Sequence, residues 1–397
     1  PDQPSYSLFT TREHLNEAAY AFRENAYRAN TTDNEEYSLN ARVTFPVEFG
    51  DRSANLSFGG AWRDREITAD QERLRDRRAS ANPGVTMASM LRNQTSTNYD
   101  YELGRKFDRN AVDQYFDRTK AVSERRMPQS ITADYEASES ILGLFGMAEM
   151  DVGATKVIAG LRLEKTDFEA SAPTYNENTG AISTARAKND YTSWFPNLTV
   201  RHAFTPNLIG RAALSRGINR PNFPEVAPRA VENTDGATVR IELGNPNLKP
   251  TLANNADVGL EYYLKPLGVL SAHGFYKDLE DYRYTVTRNG VALGQNAILT
   301  RPENAPDGKL YGLVLLWQQQ FTFLPGPLSG FGAFANYTWR EASVTLAQPY
   351  AGRSKMPLPG QSKTSYNAAI FYENGPLNLR VSYTKRSDYL SEVNADN

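Results

Sequence analysis

The chain of 397 residues contains no cysteine. That excludes a disulfide framework and any thiolate metal site. No apolar run approaches the roughly 20 residues a spanning helix needs, and mean hydropathy is −0.58, so a helical membrane protein is excluded. A membrane protein built of strands is not, because only alternate strand residues face lipid and the connections can be very polar. Charge of one sign is lacking too: 44 basic and 46 acidic residues leave a net charge of −2. No run of Lys/Arg lies against interleaved aromatics, so nucleic acid is not an expected partner. Histidine is scarce, and His14, His202 and His273 stand far apart outside any HExxH spacing, so no metal is expected. No G-x-S-x-G motif occurs and no nucleophile has an evident base, so the reading is of a protein that is not an enzyme and has no cofactor. The run Gly330 to Ala335 opens a strand with no helix after it, so phosphate-binding geometry is missing. No secretory leader is visible ahead of Pro1.

What the sequence does have is a rhythm. Six times, two alternating apolar/polar runs are joined by only a few residues: Gly50-Asp51-Arg52, Val152-Gly153-Ala154, Thr205-Pro206-Asn207, Pro266-Leu267-Gly268, Pro325-Gly326-Pro327 and Asn374-Gly375-Pro376. Within 37–47, Tyr37, Leu39, Ala41, Val43 and Phe45 share one face, and Ser38, Asn40, Arg42 and Thr44 share the other. Leu377, Leu379, Val381 and Tyr383 oppose Asn378, Arg380, Ser382 and Thr384 in the same way. A period of two is the strand period, since successive side chains point to opposite faces. About twelve such runs occur, including 142–150, 194–204, 208–215, 269–277, 311–323, 331–339 and 366–373, each near the roughly 10 residues of a tilted membrane strand. The segment around Ala19 to Arg28 has a poor pattern and reads at most as one more strand end.

Parity alone leaves two solvents open for the polar faces, bulk water around a soluble sandwich or a hydrated barrel lumen. Two further features favour the barrel. The apolar faces turn aromatic at their ends: Trp62, Trp194 and Trp339 toward the long connections, and Phe45, Phe204, Phe323 and Tyr372 toward the short turns. Amphipathic rings favour the headgroup level, so these seven are expected to form membrane girdles. The connections are also asymmetric, with short joins at one end and long polar ones near 64–140, 166–191, 216–253, 278–310 and 341–363 at the other, expected to be extracellular loops. The fold expected is all-β, an antiparallel transmembrane β-barrel.

From Arg216 onward the wording becomes specific. Ser215-Arg216-Gly217-Ile218-Asn219-Arg220-Pro221-Asn222-Phe223 is followed by Gly244-Asn245-Pro246-Asn247-Leu248-Lys249-Pro250, then by Val258-Gly259-Leu260-Glu261-Tyr262 and Gly274-Phe275-Tyr276-Lys277. In this order and spacing the chain resembles the barrel region of TonB-dependent outer-membrane receptors. It is most similar to the branch found in proteobacteria that scavenge plant or algal carbohydrates. The resemblance implies a barrel of about 22 strands, of which this chain would supply about 12–14. It also implies an N-terminal plug and TonB-contacting region, absent here, and residence in the outer membrane of a Gram-negative bacterium. The ending Glu392-Val393-Asn394-Ala395-Asp396-Asn397 lacks the terminal aromatic of such barrels. The chain therefore reads as 1–397 of barrel from within a longer receptor. Its expected partners are outer-membrane lipid and lipopolysaccharide, the TonB complex, and an extracellular small-molecule or oligosaccharide ligand.

The function so implied is binding of a scarce nutrient at the cell exterior for TonB-energised uptake, an oligosaccharide first and a ferric siderophore second. A passive porin or adhesive surface barrel is the alternative, and a soluble carbohydrate-binding β-protein a more remote one. For the motif residues Arg220, Pro221, Phe223, Gly244, Asn245, Pro246, Leu248, Lys249 and Pro250, with Glu261, Tyr262, Phe275, Tyr276 and Lys277, the chemistry points mainly to structure. Proline fixes φ and glycine and asparagine close turns, so the loop is stiff. Ligand contact is the competing reading for Arg216, Asn219, Arg220 and Asn222, expected to face the lumen. It is also the competing reading for Tyr276, Tyr282, Tyr284 and Tyr311 near the loops, where aromatic faces and placed polar groups suit a polar ligand.

Overall fold

In the computed structural model the described residues are 16–20, 24–50, 52–76, 85–98, 101–120, 123–175, 179–232, 239–293, 295–350 and 352–391. Asp51, His14 and the ending Glu392 to Asn397 lie outside them. Twelve strands follow one another in a single hydrogen-bonded path. They are β1 (Asn25–Phe49), β2 (Arg52–Asp76), β3 (Tyr135–Val152), β4 (Thr155–Tyr175), β5 (Ile182–Thr205), β6 (Leu208–Asn219), β7 (Thr251–Leu264), β8 (Gly268–Ala292), β9 (Gln295–Gln320), β10 (Phe331–Tyr350), β11 (Thr364–Asn374) and β12 (Leu377–Arg386). Each strand pairs with the next along this path, and from β3 to β12 the ladders are antiparallel. Among the described residues no pairing joins β12 back to β1, so this is part of an antiparallel β-barrel.

The chain forms two compact units. One comprises Asp33–Thr68 and Tyr135–Asn397. Here the joins at 152–154, 205–207, 266–268 and 374–376 are the tight ends of hairpins, whereas Pro325-Gly326-Pro327 lies in a longer connection with a 3-10 turn at Gly326–Gly330. Gly50, Gly153 and Gly375 supply φ of +62°, +58° and +58°, a left-handed conformation that costs glycine least. The apolar rows are bare: Leu39 is 69% exposed, Val258 63% and Val381 78%. No second protein layer covers them, which a soluble sandwich would require. A lipid environment removes the cost of this exposure, and it demands a fully paired backbone, which the ladders provide. No helix among the described residues is long and apolar enough to cross a membrane.

The strands extend well past the ends drawn from alternation. β2 continues to Asp76, β4 to Tyr175, β8 to Ala292 and β10 to Tyr350, inside stretches whose apolar alternation has stopped. Backbone pairing does not need apolar side chains, so the pattern of lipid contact ends before the ladder does. In the other direction β9 ends at Gln320, which places Phe323 in the turn rather than in the strand.

The second unit comprises Pro1–Thr32 and Ala69–Asp134. Where the sequence reads one polar connection, this unit holds a hairpin of Leu91–Asn98 with Tyr101–Phe107 and two helices, Arg109–Lys120 and Met127–Ile131. Asp108 caps the longer helix, its carboxylate accepting from the Asn110 and Ala111 amides at 2.9 and 3.2 Å. Tyr27 packs against Phe116, with ring centroids 5.4 Å apart, and lies under the Lys120 ammonium at 4.2 Å. The Asp134 carboxylate accepts from the Gln71 amide at 2.7 Å. Burial, the largest influence, pushes its pKa up to about 6.

Candidate functional site

The faces of the wall follow from register, because directly paired residues share a face. Leu161 and Leu163 on β4, Leu142 and Leu144 on β3, and Trp194 and Leu198 on β5 are exposed and outward. Arg162, Glu164 and Thr166 therefore point inward, as does Glu139, which shares a face with its register partner Phe168.

Two carboxylates and three guanidinium groups meet on that inner face. Glu164 accepts from Arg162 Nε and from Arg220 Nη2, both at 2.6 Å. Glu139, 7% exposed, accepts from Arg63 at 3.0 Å and lies 3.9 Å from Arg220 Nε. Arg220 Nη2 also donates to Thr166 at 3.2 Å. The Nε groups of Arg63 and Arg220 are buried and make no hydrogen bond among the described residues. Burial raises the phenol pKa of nearby Tyr191 despite the opposing influence of Arg220. The alternation reading missed Glu139 and Tyr191; Glu139 lies between Ser138 and Ser140, beyond the apolar alternation that begins at Leu142.

Arg220 begins a segment that folds inward and packs. Phe223 is buried, its ring 5.7 Å from that of Phe168 and under the Arg65 guanidinium at 5.0 Å. Asn222 opens the short helix Phe223–Val226, its amide donating to the Glu225 carboxylate at 2.7 Å. Glu225 also pairs with Arg283 at 3.1 Å. Gly244 has to be glycine: a Cβ there would stand 1.8 Å from the Ala227 carbonyl oxygen. Asn245, buried, donates to the Pro302 carbonyl at 3.0 Å. Leu248 is 1% exposed and its carbonyl accepts from Asn189 at 3.3 Å. Asn304 receives the Lys249 amide at 2.8 Å and donates back to the Lys249 carbonyl at 3.0 Å. The adjoining strand Arg240–Leu243 pairs in parallel with β9. The Gly-Asn-Pro-Asn-Leu-Lys-Pro run is thus a set of fasteners that hold the segment between Arg220 and Pro250 against β8 and β9.

The other candidate residues disperse. Arg216 takes the outward face rather than the lumen: in register it follows Leu214, its guanidinium lies 5.6 Å from the Trp194 ring centroid, and it pairs with Glu280 at 2.8 Å. The parity of β6, read only as far as Ser215, changes nothing at Arg216, so an even-numbered residue had to face out. Asn219 ends β6 in register with Thr251. Tyr276 and Tyr311 are register partners on the outward face. Tyr311 donates to Glu341 at 2.9 Å and meets Trp339 edge-on at 6.0 Å. Tyr284 is buried with Ala305, Val344, Leu346 and Leu358, and Tyr282 packs against that cluster. Glu261 receives Arg211 through two bonds at 2.8 and 3.2 Å and the Tyr263 hydroxyl at 3.0 Å. Lys277 donates to Asn255 at 3.1 Å, Phe275 packs inward over Gly312, and Tyr262 is outward. Of the expected girdle, Phe45, Trp62, Trp194, Phe204 and Phe323 are exposed, while Trp339 and Tyr372 are partly covered, Tyr372 by Phe331 at 4.8 Å. No group of three or more metal-ligating side chains occurs among the described residues.

Comparison with known proteins follows this geometry. The profile of the family described as TonB dependent receptor-like, beta-barrel matches residues 1–397. Among solved structures, the chain is similar to the ferric citrate transporter FecA in its unliganded form, with a TM-score of 0.58 and 11% identity over 91% of this chain and 43% of that one. It is similar to the copper transporter OprC, with a TM-score of 0.55 and 15% identity over 89% and 44%. It is also similar to the siderophore receptor PiuA from Acinetobacter baumannii, with a TM-score of 0.55 and 13% identity over 90% and 46%. At these identities the likeness is one of fold, and the chain spans less than half the length of each of these proteins. No curated protein sequence matches the chain.

Proposed function

Because the chain belongs to the TonB-dependent receptor β-barrel family, we propose that it forms part of the wall and mouth of a receptor that captures a scarce nutrient outside the cell and passes it inward by TonB-energised uptake. The family is one of receptors and transporters rather than enzymes, and its members reside in the outer membrane of Gram-negative bacteria, as does this protein. The observation that carries the reading is the fastened inward segment. A stiff, polar-edged loop held at the mouth by Arg220, Asn245 and Asn304 gives a fixed surface on which a ligand can be selected before passage.

The ligand we favour is an oligosaccharide, on the motif resemblance to carbohydrate-scavenging receptors. A ferric chelate is the second reading, supported by similar structures named for ferric citrate and a siderophore. Partners on this reading are the TonB complex, reached through a region outside the chain, and lipopolysaccharide around the girdles. The test is deletion of the gene in its host, followed by growth with single oligosaccharides as the carbon source and with single ferric chelates as the iron source. A growth defect on one glycan, reproduced by loss of TonB, is expected. Normal growth in every arm, or uptake indifferent to TonB, would remove the proposal.

A further inference from the structure

Above the upper girdle, charge is spread unevenly around the wall. Between 340 and 363 and from 385 to 391 the chain carries Arg340, Arg353, Lys355, Lys363, Lys385 and Arg386 against Glu341 and Asp388. On neighbouring β8 and β9, Lys309 and Asp278 are register partners, and Asp307 accepts from Thr345 at 3.0 Å. This flank therefore holds seven basic and four acidic groups. Farther along, Arg216 and Glu280 answer each other. On β3 to β5 the balance is reversed: Asp167 and Asp190 are direct partners, and Glu136 and Glu169 join them against Lys165, Arg186 and Lys188.

Three lysines of the basic flank rise in steps up the outer face. Lys385 pairs in register with Tyr366, itself the partner of the outward Tyr337. Lys363 pairs with the Glu341 carboxylate at 2.8 Å. Lys355 is in register with Thr345, which shares the face of Glu341. Lys355 and Lys385 are exposed and pair with no carboxylate among the described residues. Beside them lies a cavity of about 650 Å³ walled by Tyr311, Lys355, Pro357, Lys363, Tyr389 and Leu390. Its far wall is fixed, because the Gly360 amide donates to the Leu390 carbonyl at 2.7 Å and the Thr364 amide to Ser387 Oγ at 3.1 Å. The Arg386 guanidinium covers the Tyr389 ring at 4.5 Å.

We propose that this flank docks the phosphorylated head of lipopolysaccharide, with phosphates on Lys355, Lys363 and Lys385 and the adjoining sugars against the tyrosine-walled cavity. The inference rests on the outer-membrane placement rather than on nutrient uptake, and it gives the lipopolysaccharide contact proposed above one place on the wall. The cavity lies on the outward side, just above Trp339 and Tyr337, so it continues the lipid face rather than the path through the mouth. Lysine stems lie along apolar surface while their ammonium groups reach hydrated phosphates, and a surplus of positive charge gathers anionic head groups. Glu341 keeps Lys363 and the Tyr311 hydroxyl. With three N–H donors, the Lys363 ammonium can hold that carboxylate and a phosphate together.

The test uses the receptor extracted from outer membranes in mild detergent and stripped of glycolipid. It is then incubated with lipopolysaccharide, or with lipopolysaccharide treated with phosphatase, and the glycolipid retained per protein is counted by native mass spectrometry. The intact glycolipid should be retained and the phosphatase-treated one largely lost. Raising salt from about 50 to about 300 mM should weaken retention severalfold. Lys355→Gln/Lys363→Gln/Lys385→Gln should lower it about fivefold or more, and arginine at the same positions should keep it, which separates loss of charge from loss of fold. Lys188→Gln, on the acidic flank, should leave it unchanged. Equal retention of the two glycolipids, parental retention in the triple glutamine variant, or an equal loss in Lys188→Gln overturns the proposal. Full displacement by millimolar inorganic phosphate overturns it by assigning the lysines to a soluble anion. Loss of retention on chelation of divalent cations overturns it by assigning the contact to a metal bridge. Growth does not enter this readout, so a failed growth test removes the uptake reading alone and a failed retention test removes this one alone.

Discussion

The wall carries its apolar face outside near the short turns and inside near the mouth. In β4 the exposed outward residues are Leu161 and Leu163, whereas five to nine positions later the buried apolar residues are Phe168, Ala170 and Ala172 on the opposite face. β3 repeats this, with Leu142 and Leu144 outward and Ile141, Ala137 and Tyr135 inward and buried toward the mouth. β10 repeats it again, with Tyr337 outward and Val344 and Leu346 inward. The pleat is unbroken in β4, because its register with β3 runs without a shift from Val152↔Thr155 to Glu136↔Ser171. What changes is the solvent. In the band of the girdles, lipid lies outside and polar groups inside. Beyond it, water lies outside, where Asp167 and Glu169 stand, and the inward segment supplies a protein core inside. One strand thus obeys two opposite burial rules in succession.

This inversion can be broken most severely from the inside of the mouth. Phe223→Ala removes a buried ring between Phe168 and Arg65 and should cost about 3–5 kcal/mol, read as early protease cleavage between Arg220 and Pro250 with the strands intact. Cleavage unchanged from the parent would mean that the segment is not held by its core. Arg220→Ala leaves Glu164 and Glu139 short of a partner in a mostly buried setting. A loss of about 1–2 kcal/mol is expected, because Glu164 keeps Arg162 and Glu139 keeps Arg63, with Arg220→Ala/Glu164→Gln recovering part of it in a double-mutant cycle. On the lipid face, Val258→Arg should cost about 2 kcal/mol or more in folding into vesicles. Glu169→Leu, outward but beyond the girdle, should stay within about 0.5 kcal/mol. Equal penalties at these two outward positions would erase the distinction between the regions.

A separate effect concerns the unit that contains Asp134. A carboxyl whose pKa is raised by burial binds its proton more readily when folded. Its contribution is therefore fully present below the ordinary value of 3.8 and is lost as pH rises through about 6. The urea midpoint of this unit should fall between about pH 4 and about pH 6.5, and Asp134→Asn should flatten that fall. A midpoint in the parent that rises over the same interval would contradict the assignment.

The membrane band was legible because one side of each strand there meets oil. The alternation of Tyr37, Leu39, Val43 and Phe45 with Asn40 and Arg42 is a direct record of two solvents. The extensions were not legible, because the inversion at Thr166 in β4 makes the apolar period slip by one, which in a sequence looks like the end of a strand. The unit with the Arg109–Lys120 helix was invisible for another reason: it is polar overall, and its small core is assembled from distant pieces such as Tyr27 and Phe116. Of the candidate site, the motif's structural character could be read from its Gly, Pro and Asn content. The outward turn of Arg216 depended only on counting parity from Leu214. The inner cluster around Glu139 could not be read, because it requires knowing that Glu139, Glu164 and Arg220 converge from three separate strands or loops.

The absence of cysteine makes the decisive measurement clean. Single cysteines placed from 161 to 172 along β4, spin-labelled in vesicles, report contact with dissolved oxygen or with a water-soluble nickel reagent. The inversion predicts high oxygen contact at 161 and 163, nickel contact at 167 and 169, and contact with neither at 168, 170 and 172. Oxygen contact at odd positions along the whole strand, or free nickel contact at 168, 170 and 172, would contradict it.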